Sequence, residues 1–213
     1  MPVGLLGDVE RRRLEGFPED LTPEDIATHF TLAPADVAVL PVHCAPRHRL
    51  WCALQLCSLR YLGYFPVVEE RAPLAVGAYL ARQLGVAVEA FNAQVNTQTR
   101  GDHLRLIEHH LGFRKVGPEE RATLEAWLLE RAMEHDQPAV LFELILKKLL
   151  AEKLVRPGIT SLERMVATAR QAAFAETFRL MMPLLTQPTR RALDKLLVTE
   201  EGSGRTMLAW LHR

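Results

Sequence analysis

Two short basic stretches hold the side chains best suited to chemistry with an anionic partner. Arg47-His48-Arg49 is one, and Gln98-Thr99-Arg100 followed by His103, Arg105, Arg114 and Lys115 is the other. Arginine and lysine neutralise phosphates, while glutamine and arginine read base edges from the first turns of a helix lying in the major groove. Thr99 adds a hydroxyl beside helix-start amides that favour an anion. These residues predict contacts to double-stranded DNA. They also suit an ordinary solvated helix on which Asp102 and Glu108 pair with Arg105, so the pattern alone leaves both readings open.

Other chemistry finds less material. A nucleophile with its base, a carboxylate pair and a phosphate loop are all missing in recognisable form, and Gly202-Ser203-Gly204 lacks the lysine and preceding strand that a P-loop needs. The adjacent acids Glu69-Glu70 and Glu119-Glu120 point in different directions, and His109-His110 cannot ligate one metal from the same helix face. Cys44, Cys52 and Cys57 are odd in number and sit among apolar neighbours, which reads as reduced core thiols. His43 beside Cys44 lacks a second ligand pair. The expectation is therefore a chain without catalytic residues, metal or cofactor.

Charge narrows the partners further. The 213 residues carry 26 basic and 26 acidic side chains, which excludes a uniformly basic coat. The first forty hold three basic against eight acidic residues, so the remainder is modestly basic. No basic segment leads into an apolar one at the start, and no uncharged apolar run approaches the roughly 18 residues of a membrane span. A cytoplasmic chain without a membrane partner is expected.

The elements that must position the basic residues follow a 3.6-residue period, and period-2 runs are missing, so the fold class is all-α. Thr22-Pro23-Glu24-Asp25 starts a short helix to Phe30, and a second follows Pro34 and stops before Pro41. Residues 45–62 are apolar on every side, as in a helix buried at the centre of a bundle. Helices are expected at Pro73 to Leu84, Val88 to Gln94 and Thr99 to Leu111. The last turns Leu104, Ile107 and Leu111 inward and aligns Gln98, Asp102, Arg105 and His109 outward, while Arg100 projects near the core side. Further helices should run from Gly117-Pro118 to Glu134, Gln137 to Leu154, Thr160 to Met182 behind a Thr160-to-Glu163 capping box, and Pro188 to Leu197. Glu200 to Gly204 reads as a turn. The expected organisation is a multi-helix bundle of two helix-turn-helix-like modules, residues 1–72 and 73–156 meeting at Ala72-Pro73. Residues 157–213 add a long helix and the start of a following region.

Several ordered segments resemble one family. The run Arg49-Leu50-Trp51-Cys52-Ala53-Leu54-Gln55-Leu56-Cys57-Ser58-Leu59-Arg60-Tyr61-Leu62-Gly63 resembles the RLGFALQLCxLRxxG segment in transposases of the Tn-three family of replicative transposons. Tyr79 to Val86, Thr99 to Leu104 and Leu111 to Arg114 follow in that family's order, and Pro157 to Arg164 is similar to its PGITTLER segment. Gly204 to Leu211 looks like its continuation. The resemblance implies an α-helical, N-terminal DNA-binding region that recognises a transposon's terminal inverted repeats, with the Asp-Asp-Glu catalytic domain of the family elsewhere on a longer polypeptide. Where the family often has TRREHL, this chain has Gly101 in place of an arginine, which lowers local charge and helix propensity.

A rival reading makes the chain a regulatory or dimerising protein that joins a second copy or a full-length transposase without touching DNA. Trp51 and the Tyr61-Tyr64-Phe65 cluster are its candidate surface, although such aromatics more often fill a core.

Overall fold

Local capping chemistry sets the first helices of this computed structural model, which describes residues 5–18, 21–41, 44–66, 72–88, 97–199 and 206–211. Helix α1 (Asp8–Glu15), which the periodicity did not predict, begins where the Gly7 amide donates to Glu10 at 2.9 Å. Helix α2 (Pro23–Phe30) has the expected reciprocal cap: the Asp25 amide donates to Thr22 Oγ1 at 3.1 Å and the Thr22 amide to Asp25 at 3.0 Å. Helix α3 (Pro34–Val39) leads to α4 (Pro46–Leu62), which ends as Gly63 takes a φ of 74° that a β-carbon would disfavour. Helix α5 (Leu74–Leu84) is followed, beyond Val88, by residues outside the described set, among them nearly all of the helix expected from Val88 to Gln94. Helix α6 (Thr97–Leu111) then begins two residues earlier than expected.

Strand β1 (Arg114–Lys115), α7 (Pro118–Glu134), α8 (Pro138–Ala151), β2 (Leu154–Val155) and α9 (Ile159–Met181) come next. A 3-10 turn at Met182–Leu184, α10 (Gln187–Leu196) and α11 (Met207–Leu211) complete the order. The class is all-α, with one addition. The helix expected to reach Leu154 stops at Ala151, because Lys153 adopts a φ of 52° and the next two residues pair in parallel with β1, Leu154 opposite Arg114. The capping box expected at Thr160 is also corrected. Gly158 precedes α9, Thr160 and Ser161 lie inside its first turn, and Glu163 reaches Arg11 of α1 instead, a distant ion pair replacing a local cap. The turn expected at Glu200 to Gly204 lies outside the described residues.

Burial divides into two clusters. The first collects Phe17, Phe30, Leu40, the apolar residues of α4 from Leu50 to Leu59, then Ala72, Val76, Leu80 and Ile107, and Gln55 and Ser58 are buried beside them. Ala72 at the expected module boundary therefore belongs to the same cluster as Leu50. The second holds Leu124, Leu128, Leu141, Ile145, Leu149, Leu154, Leu162 and Val166 from α7, α8, β2 and α9, with Leu6 from the segment before α1. Each fully buried leucine or phenylalanine contributes about 1.5–3 kcal/mol, so two cores of this size can hold their helices firmly. Arg156 links them: its amide donates to the Gly63 carbonyl at 2.7 Å, and its guanidinium donates to the Leu14 carbonyl at 2.6 Å while lying 3.6 Å from the Tyr64 ring centre. Among the described residues, no helix is long and apolar enough to cross a membrane.

Candidate nucleic-acid interface

Helix α4 is fixed by its own composition. With residues 50–59 all buried, it cannot rotate without exposing leucine, and its two ends emerge: at the first turn Arg47 is exposed and His48 and Arg49 are half-buried, and at the last turn Arg60, Tyr61 and Leu62 are half-buried. Helix α6 turns Arg100, His103, Ile107 and His110 inward, at offsets of three, four and three residues, and packs Ile107, Leu104 and Leu111 against the core that holds α4. Two contacts give its direction. Near its start, the Arg100 guanidinium sits 5.4 Å from the ring centre of Trp51, early in α4. At its end, His110 Nε2 is 2.9 Å from Asp36 Oδ1, while Arg60, late in α4, donates to Asp36 Oδ2 at 2.7 Å. Start meets start and end meets end, so α4 and α6 run the same way and their amino-terminal turns share one end of the bundle.

That geometry sorts the predicted residues. Arg47, His48, Arg49, Arg100 and His103 belong to the shared end, Arg105 stands at the middle of α6 on its exposed face, and Arg114 and Lys115 form β1, beyond the opposite end of α6. Arg114 donates to Glu120 at 2.6 Å. Among the described residues, no carboxylate pairs with Arg47 or Arg49. Arg105 does meet Asp102, as the solvated-helix reading expects, but at 3.5 Å and with both side chains more than three-quarters exposed, a pair of little energetic consequence. Glu108, named as its second partner, makes no ion pair with Arg105 among the described residues. Arg49 Nε and His103 Nδ1 are shielded from solvent without a hydrogen-bond partner among the described residues. Gln98 and Thr99 lie in the first turn of α6, and their side chains fall outside the described set.

Asp36 is the residue the sequence reading missed. It is only 3% exposed, and its carboxylate also accepts the Ala33 amide at 2.9 Å. Burial opposes its ionisation, yet hydrogen bonds from Arg60, His110 and Ala33 outweigh that cost and hold the carboxyl below its ordinary range. A legible signal existed: the 100, 103, 107, 110 spacing marks an inward polar stripe, beside the outward 98, 102, 105, 109 stripe that attracted attention. Two of the three thiols behave as the expected core groups, Cys52 and Cys57 both being pushed up to about 12 by burial, whereas Cys44 is half-buried outside the core. Among the described residues, no group of three or more His, Cys, Asp or Glu is placed to hold a metal ion.

A mainly helical chain with a buried central helix and Arg47, Arg49 and Arg100 at one end of it defines the architecture, and comparison with known proteins adds the family. Residues 5–169 match the family described as a domain of unknown function, DUF4158, and the chain belongs to it. It is 29% identical over 98% of its length to the transposase for transposon Tn3926 and, equally, to that for Tn21, both from Escherichia coli. Identity to the transposase for transposon Tn501 of Pseudomonas aeruginosa is 26% over the same share. The chain spans 21% of each of these relatives, about a fifth of their length. The likeness read from the segments at 49–63 and 157–164 thus extends over nearly the whole chain, and the larger part of each transposase has no counterpart in these residues.

Proposed function

We propose that this chain is a DNA-binding region of a transposase and that it recognises the terminal inverted repeats of its transposon. The observation that carries the reading is the parallel course of α4 and α6, which brings Arg47, Arg49 and Arg100 to one end, where Arg47 and Arg49 have no paired acid among the described residues. The relatives named as transposases support it. In this reading the first turns of both helices approach the duplex in a helix-turn-helix-like manner. Phosphate neutralisation supplies most of the affinity, and a few polar side chains supply specificity. Strand cleavage belongs to other parts of a transposase, and the place of action is the cytoplasm, where the DNA lies.

The test is a gel-shift titration of the chain with transposon-end DNA and with shuffled DNA of equal length at two salt concentrations. Tighter binding to the end sequence, weakening steeply with salt, is the expected result. Equal affinity for both DNAs, or none at low salt, removes the reading. A second reading, docking onto another copy or a full-length transposase, draws on the exposed Phe174, Phe178, Met181, Leu184, Leu193 and Leu197 of the last helices. It predicts a mass that rises with concentration in light scattering while no DNA shifts.

A further inference from the structure

We infer that the Asp36, Arg60 and His110 knot is a positioning device that seats α6 on α4 so that Arg100 lies over Trp51 and the two amino-terminal turns face the same way; its role in DNA contact rests on the reading above. The argument begins with how little else holds α6. Among the described residues it buries one side chain fully, Ile107, with Leu104 and Leu111 half-covered. Apolar contact is non-directional and tolerates small rotations of a rod about its axis. Hydrogen bonds are directional and do not. The single carboxylate of Asp36 receives donors from three elements: the Ala33 amide opening α3, Arg60 near the end of α4 and His110 near the end of α6.

Because a helix transmits rotation along its length, the knot at residue 110 sets where residue 100 points. A turn of about 20° on a rod of roughly 5–6 Å radius moves a surface atom by about 2 Å, enough to take a guanidinium off an aromatic face or a phosphate oxygen. The groups facing Asp36 are accounted for on each side. Arg60 also donates to the Thr31 carbonyl at 3.3 Å, and Thr31 Oγ1 lies 2.8 Å from the Tyr79 hydroxyl of α5. Cys57 lies close enough for Asp36 to raise its pKa and for Arg60 to lower it, although burial dominates. A carboxylate this enclosed, shared among three helices at the end of α6 opposite the exposed arginines, has geometry as its product.

His110→Ala tests the device, because Asp36 keeps its donors from Arg60 and Ala33. His110→Gln is the rescue, since the glutamine amide places a donor where imidazole Nε2 stood. His110→Asn, whose amide falls short of that position, repeats the test if the alanine chain does not fold. With Trp127→Phe and Trp210→Phe introduced, Trp51 alone emits, and acrylamide quenching reads how well α6 covers it. The expected result for the alanine chain is quenching raised about twofold, transposon-end binding weakened about fivefold and a shallower salt slope, the loss of one hydrogen bond to a charged group. Glutamine should restore all three. Unchanged Trp51 quenching overturns the positioning role, and so does changed quenching with unchanged affinity in a chain that binds DNA. If the unaltered chain binds no DNA, the functional reading falls and quenching with its rescue decides the positioning by itself.

Discussion

Cations meet different fates on α7 and α8 and at the amino-terminal turns of α4 and α6. On α7 and α8 they are matched with acids three or four residues away: Arg121 with Glu125 at 3.8 Å, Arg131 with Glu134 at 3.2 Å, Lys147 with Glu143 at 3.7 Å and Lys148 with Glu152 at 2.7 Å. At the amino-terminal ends of α4 and α6, Arg47 and Arg49 pair with no carboxylate among the described residues, and Arg100 lies against Trp51. Matched charges make a soluble, electrically quiet surface. Unmatched ones leave a field that a polyanion can satisfy. A neutral composition therefore says nothing about local potential, which depends on whether neighbours at helical spacing are acids.

The deepest test of that contrast acts on the buried acid that aligns the basic end. Asp36→Ala should lower stability by about 3 kcal/mol, since Arg60 and the Ala33 amide lose their acceptor in an enclosed site; urea denaturation measures it. Acid should reproduce part of the effect. The folded pKa of Asp36 is depressed below its unfolded value near 3.8, so its contribution is fully present above that value and is lost as pH falls toward the folded one. Asp36→Asn should flatten the stability profile below about pH 4. An unchanged profile would mean that the carboxylate is not the holding group.

Smaller effects sharpen the comparison. Replacing Arg47 and Arg49 together by alanine should weaken transposon-end binding about tenfold and reduce the salt slope by about 1.8, while replacing Arg121 and Lys147 leaves both unchanged. Equal losses from the two pairs would erase the distinction between these two regions. Gly101 is exposed, and a β-carbon there meets nothing within 4 Å, so Gly101→Ala should stabilise α6 by about 0.5–1 kcal/mol without changing affinity. Gly101→Arg should instead steepen the salt slope. Least of all, Glu125→Ala should change the unfolding free energy by under about 0.5 kcal/mol, as breaking an exposed i,i+4 pair does.

Most helices were legible because their stop and start signals are local. Thr22 and Asp25 cap α2 as expected, Gly63 and Gly85 end α4 and α5 in the left-handed region, and the apolar run around Leu54 is buried on all sides. Misreadings came where distant groups competed. Leu154 left its helix for a two-residue ladder with Arg114, and Glu163 abandoned a cap for Arg11. The candidate site was legible as a set of residue types. Its division was not, since Arg114 and Lys115 stand beyond the end of α6 opposite the other basic residues and nothing in their spacing says so.

The sequence by itself determined the helical class, the burial of α4 and the supply of basic side chains, because periodicity and capping act over one or two turns. Tertiary structure alone decided that α4 and α6 run in the same direction and that Asp36, Arg60 and His110 meet. A hydrogen bond across 74 positions of chain leaves no local pattern, and the direction of one helix against another is set by side chains that touch only after the fold has formed.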